Sequence, residues 1–169
     1  MASRVSIARS LTTSGGDGRI ALTGIAAPAP VGDLLLGAAD LIGDASFGGT
    51  LGTLTLGQIR GAIVQIAGTG DAALKASQID DSHLIAPAAN FSLTAATFTA
   101  ATPGAASIEV AGLKSLAIIG AMSGDVHVSG SGIAGYALGT AKVDGAVSGG
   151  LWSIHGRANT IQLGSTAAA

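Results

Sequence analysis

A four-residue pattern of apolar, variable, apolar and small residues recurs along the whole chain, and it constrains the fold more than any other feature. Its ten instances begin at Val5, Ile20, Leu34, Leu54, Leu74, Phe91, Ile108, Val126, Val143 and Ile161. The instances follow one another at similar intervals, and the fourth position holds only Ala, Gly, Ser or Thr. Self-similarity at so short a period is typical of solenoid proteins, in which each repeat is one small structural unit.

Each instance predicts a short β-strand with one buried face, because side chains alternate across a strand. A second alternating run lies inside most repeats, as in Val64 and Ile66 or Trp152 and Ile154. Strands this short bury their apolar faces only by stacking, with coils about 4.8 Å apart that pair their backbone groups with the next coil. The sequence therefore predicts an all-β fold, a single-stranded parallel β-helix (β-solenoid) with coils of about 17–18 residues.

Two other fold classes are less compatible with the pattern. Glycine recurs every few residues from Gly124 to Gly150, and each one costs a helix about 1 kcal/mol relative to alanine. A β-sandwich is the stronger alternative, but hairpin-linked strands rarely repeat one signature at near-constant spacing. We expect residues 1–169 to form one β-solenoid domain, either by themselves or as a segment of a longer repeat array.

Composition narrows the possible functions. Only 11% of residues are charged and 3% are aromatic, whereas there are 27 glycines, a mixture that suits tight stacking in a structural protein. The net charge is −2 and the basic residues are scattered from Arg4 to Arg157, which argues against a nucleic-acid partner. No apolar stretch approaches the roughly 20 residues of a transmembrane helix. The opening residues lack the apolar region of a signal peptide, and the absence of cysteine excludes a disulfide framework.

Two segments carry a resemblance to a known class of proteins. The stretches GTLTLGQIRGAIVQIAGTG (52–70) and GGLWSIHGRANTIQLGST (149–166) resemble the β-strand repeats of very large secreted bacterial surface proteins. That resemblance implies an extracellular, right-handed parallel β-helix with a structural or adhesive role, and it assigns no functional residues. The expected coil length is also similar to that of bactofilins, cytosolic bacterial solenoids that polymerise end to end, although this chain is poorer in charged residues.

The variable position of the pattern holds the strongest candidates for chemistry. It should face solvent and place Glu109, His127 and Asp144 on three consecutive coils, where an imidazole between two carboxylates could bind a divalent metal or act as a base. The simpler interpretation, which we favour, is a solvated face. His83 and His155 sit at other offsets, so the three histidines are not expected to form one site. The Asp80–His83 segment (DDSH) reads as a polar loop between coils.

We accordingly expect no catalytic residue, cofactor or enzymatic activity. The function that fits is a structural building block of a bacterial surface layer, fibre or adhesin, extracellular or at the cell surface. The alternatives are a cytoplasmic, bactofilin-like scaffold and, more remotely, a polysaccharide-active β-helix enzyme. The expected partner is the chain itself or a neighbouring repeat, through open end coils. These edges should include Val5, Ile7, Ile161 and Leu163, since the pattern runs close to both ends without a polar capping element.

The pattern also predicts which side chains are buried and which are exposed. Thr55, Lys75, Glu109, His127 and Asp144 should be exposed. One continuous buried stripe should contain Leu54, Leu56, Phe91, Leu93, Ile108, Val110, Val126, Val128, Ile161 and Leu163.

Overall fold

The computed structural model describes residues 6–10, 18–130 and 135–166, with side chains described for 18–130 and 135–164. Within these residues the structure is all β, with no helix, and the strands join one 15-stranded sheet. The strands are β1 (Ser6–Ser10), β2 (Ile20–Ala27), β3 (Val31–Leu36), β4 (Ala39–Leu41), β5 (Ala45–Phe47), β6 (Leu51–Leu56), β7 (Gln58–Arg60), β8 (Ile63–Ile66), β9 (Gly70–Asp80), β10 (His83–Thr99), β11 (Ser107–Ile118), β12 (Asp125–Val128), β13 (Leu138–Val147), β14 (Trp152–Ile154) and β15 (Ala158–Thr166).

The pairing of these strands builds a parallel β-solenoid of about seven turns, as the sequence predicted. Each turn contributes a strand segment to three stacked columns, which we call faces A, B and C. Face A stacks Leu22, Leu41, Ile59, Ile79, Phe98, Met122 and Val147. Face B stacks Ile25, Ala45, Val64, Leu84, Ile108, Val126 and Trp152. Face C stacks Leu34, Leu54, Leu74, Leu93, Leu116, Ala141 and Ile161.

Most coils are longer than the expected length of about 17–18 residues, and only the steps from Leu41 to Ile59 and from Ile108 to Val126 match it. Early in the stack, the hydrogen bond from the N–H of Ala62 to Oγ of Ser82 joins neighbouring turns at positions 20 apart in the chain. Late in the stack, the bond between Leu151 and Asp125 joins neighbouring turns at positions 26 apart. A coil must contain three strand segments and three corners, and some of the later coils have longer corners.

The four-residue pattern mixed segments of all three faces, which explains the short apparent period, and the instance at Ile20 lies on face A. Leu54 and Leu74 lie on face C, whereas Ile108 and Val126 lie on face B. Part of the spacing between instances therefore measures the distance from one face to the next within a turn. For the same reason, the nine instances from Ile20 onward fall on about seven turns.

The core fills the interior between the three faces, because alternate side chains of every segment point inward. Eight of the ten side chains predicted to be buried are buried, on faces B and C instead of on one stripe. The prediction is wrong for Ile161 and Leu163, which are 45% and 40% exposed. Of the residues predicted to be exposed, Lys75, Glu109 and Asp144 are exposed and Thr55 and His127 are half-buried.

The first strand departs from the parallel stack. β1 runs antiparallel to β2, with Ile7 opposite Ile25 and a register shift between Ala8 and Arg9. The instance that begins at Val5 was predicted to be a parallel coil, and for its described part that prediction is wrong. Val5 itself lies outside the described residues.

Candidate functional site

An outward-facing column on face B holds the residues that the sequence singled out for chemistry. Ile85, Glu109, His127 and Ser153 follow one another on four consecutive turns, since each is the pairing partner of the next. Glu109 and His127 are therefore neighbours, as predicted. Their backbones are about 4.8 Å apart, the spacing of adjacent strands.

Asp144 does not join this column, so its predicted alignment is wrong. It follows Val143 on face C, and its Oδ1 lies 2.8 Å from Nζ of Lys142. Ser153 occupies the position above His127 instead. Among the described side chains, no group of three His, Asp or Glu residues is placed to hold a metal ion.

A shallow groove of about 520 Å³ runs over this outward column. His155 lies in the groove with His127, although their offsets in the sequence predicted that they would be apart. The pairing of Val126 with Trp152 brings them together across one of the longer coils. The groove is lined by Ile85, Pro87, Glu109, Val110, His127, Val128, Ser129, Ser153 and His155.

Beside the groove, Ser107 bridges a histidine and a carboxylate. Its hydroxyl lies 2.9 Å from Nδ1 of His83 and donates to Oε1 of Glu109 at 3.0 Å. A nucleophilic triad needs the acid to orient the histidine, and here the serine stands between them. Ser107 is also only 4% exposed, so a substrate would not reach its oxygen. Ser107 therefore supports the Glu109 side chain through a hydrogen bond.

Aspartates at the corners between faces A and B tie neighbouring turns together. Oδ1 of Asp44 accepts a hydrogen bond from the backbone N–H of Ile63 at 2.9 Å, and Oδ1 of Asp125 accepts one from Leu151 at 2.6 Å. In the DDSH segment, Asp81 adopts a positive φ of 45° and its carboxylate accepts from the N–H of Ala101 at 2.7 Å. These carboxylates satisfy backbone donors that the ladder leaves free at corners.

One ion pair on the surface joins strands that lie two turns apart. Nζ of Lys114 lies 2.7 Å from Oδ2 of Asp71, whose Oδ1 accepts a hydrogen bond from Nδ2 of Asn90 at 3.2 Å. The hydrogen bond from Lys114, helped by that from Asn90 and by the lysine charge, lowers the pKa of Asp71 below its ordinary value. Both charged side chains are more than half exposed, so water weakens the attraction.

The last coil presents core positions to solvent. Ala141 and Val143 on face C are fully buried, but Ile161 and Leu163, which stack directly on them, are 45% and 40% exposed. On face B, Trp152 is half-buried. The outer edges of β14 and β15 carry backbone groups that have no ladder partner among the described residues.

The first coil is open on one face and covered on the other two. On face C, Leu34 and Leu36 are half-buried, and no described strand pairs with the outer edge of β3. On faces A and B, by contrast, Leu22 and Ile25 are 4% and 3% exposed, and β1 occupies the outer edge of β2. Each end thus exposes a β-edge on face C, formed by β3 and by β15.

These features place the molecule in the class of parallel β-solenoid proteins. Comparisons with known protein families, with curated proteins and with solved structures each found no match. Within the described residues, no helix is long and apolar enough to cross a membrane.

Proposed function

We propose that this chain is a non-catalytic structural module of a bacterial surface layer, fibre or adhesin, and that it associates with a second copy of itself through its end coils. The observation that carries the proposal is the exposure of Ile161 and Leu163, at positions that every earlier coil of face C covers with the next coil. Exposed apolar core positions beside an unpaired β-edge favour the addition of another strand.

A second copy is the occupant that matches this edge in both chemistry and register. Face C begins with Leu34 and Leu36 at one end and finishes with Ile161 and Leu163 at the other. If β15 of one copy pairs with β3 of the next, Ile161 stacks on Leu34 and Leu163 stacks on Leu36, so the column continues without a shift. The contact is head to tail, and contacts of that kind extend into filaments instead of closing into dimers.

The surface location rests on the resemblance of residues 52–70 and 149–166 to the strand repeats of secreted surface proteins. The bactofilin-like alternative was suggested by a coil of about 17–18 residues, and most coils of the structure are longer, which weakens that argument. Localisation of a tagged full-length gene product would separate the two, with cytoplasmic signal contradicting the surface role.

Sedimentation velocity and negative-stain microscopy over a range of concentrations test the association. We expect concentration-dependent growth into rods for the wild type. Leu163→Lys should remain monomeric, because stacking of a second copy would bury the lysine charge. The free chain should still fold, since the side chain at this position is partly exposed. Thr160→Lys is the matched control, since it adds the same charge on an outward position of the same strand and should assemble like the wild type.

A wild type that stays monomeric at every concentration would overturn the proposal. So would equal assembly of Leu163→Lys and Thr160→Lys. Far-ultraviolet circular dichroism of each variant checks that the β-solenoid remains folded.

A further inference from the structure

We infer that β1 and the β14 strand of a second copy compete for the same edge of β2, so that β1 controls end-to-end assembly. This inference rests on the proposed function and specifies how its contact is regulated. It follows from the register of the sheet at the two ends, together with the burial of the first coil.

The geometry of the stack makes the two strands mutually exclusive. Within the solenoid, each segment of face B pairs with the segment one turn away, along the column that runs from Ala26 to Ser153. Continuation of that column into a second copy would place Ser153 of the second copy opposite Ala26. In the free chain that position is already occupied, because Ser6 of β1 is the partner of Ala26.

Face C cannot dock independently of face B. For β15 of the second copy to reach β3, β14 of the same copy must lie one strand spacing from β2, since both belong to its last turn. That space holds β1. Assembly in register therefore requires β1 to leave the edge of β2, and an attached β1 blocks it.

β1 has the properties of a strand that can be displaced. It is only five residues long, it is the one antiparallel strand in the described sheet, and its pairing is interrupted between Ala8 and Arg9. A second copy would replace the pairing of β1 with β2 by two strand pairings, β14 on β2 and β15 on β3. Because β1 is antiparallel to β2, it cannot serve as a further coil of the parallel stack.

A reversible disulfide that holds β1 on β2 tests the inference directly. Ala8 and Gly24 are pairing partners, and the chain has no cysteine, so Ala8→Cys with Gly24→Cys introduces a single possible disulfide. Opposed residues on paired strands fall within the Cα separation that disulfides need. We expect the oxidised protein to remain monomeric and the reduced protein to assemble like the wild type, as measured by sedimentation velocity.

A loosened β1 should act in the opposite direction. Ala8→Pro removes a backbone donor from β1 and should lower the concentration at which rods form by about tenfold, the change that corresponds to 1.4 kcal/mol. Circular dichroism of this variant should match the wild type, because the other strands are untouched.

Cross-linking between copies then identifies the pairing. A copy with Ala26→Cys mixed with a copy with Ser153→Cys should form an intermolecular disulfide, and Ala8→Pro in the first copy should increase its yield. His155→Cys in place of Ser153→Cys is shifted by two positions along the chain and should cross-link poorly.

The outcomes separate this inference from the proposed function. The role of β1 would be overturned if the oxidised Ala8→Cys with Gly24→Cys variant assembled at wild-type concentrations. It would also be overturned if Ala8→Pro formed rods at the same concentration as the wild type. Either result would leave self-association standing. Absence of assembly in the wild type and in Ala8→Pro alike would overturn both.

Discussion

Truncation of Ile108 and of Ile161 to alanine removes the same side-chain atoms from an inner coil, covered on both sides, and from the last coil, covered on one side. Ile108 is fully buried on face B between Leu84 and Val126, so Ile108→Ala leaves a cavity and should cost about 2–5 kcal/mol. Ile161 is 45% exposed and lies on the last coil. Because roughly half of its apolar surface is already in water, Ile161→Ala should cost about 1 kcal/mol.

Urea unfolding followed by far-ultraviolet circular dichroism measures both values, at a concentration where sedimentation shows a monomer. The shift in midpoint gives the change in unfolding free energy if the slope with urea is unchanged. Equal costs for the two variants would refute the reasoning, since they would show that the last coil is covered in the free chain. At concentrations where rods form, the cost of Ile161→Ala should rise toward that of Ile108→Ala.

Two further predictions concern single positions. Gly124→Ala should destabilise the fold by about 1–3 kcal/mol, because an added Cβ would overlap the ring of Phe98 in the turn below, whereas Gly32→Ala has open space and should be nearly neutral; thermal unfolding compares the two. Lys114→Ala should raise the pKa of Asp71 toward its ordinary value in an NMR titration. The lowered pKa of Asp71 contributes stability above its unfolded-state pKa, and this small contribution is lost as the pH falls through the folded-state value. An unchanged Asp71 titration in Lys114→Ala would contradict the assignment.

The strand periodicity was sufficient to predict the class of fold. Alternation at Leu54 and Leu56 or at Val126 and Val128 reflects one buried face of a short strand, a local property that survives in every coil. The coil length was not predictable in the same way. It depends on how many residues each corner uses, and corners carry no periodic signal.

The candidate site was likewise only partly predictable from the sequence. Glu109 and His127 could be aligned from the sequence because they occupy the same position in consecutive instances of the pattern, with no long corner between them. His155 was missed because the coil that joins Val126 to Trp152 is much longer than the apparent period. The role of β1 was missed as well, since its pattern is that of any other strand and only the pairing reveals its direction.

The corners of this solenoid accept extra residues without disturbing the columns. In the fifth turn, the path from Phe98 on face A to Ile108 on face B is twice as long in sequence as the path from Ile79 to Leu84 in the turn before. Both pairs still stack in register with their neighbours, so the added residues lie entirely in the corner, at 100–106. A peptide epitope or a binding loop grafted into this corner would project from the side of the solenoid at a fixed height, and the proposed end-to-end assembly would display it at regular intervals.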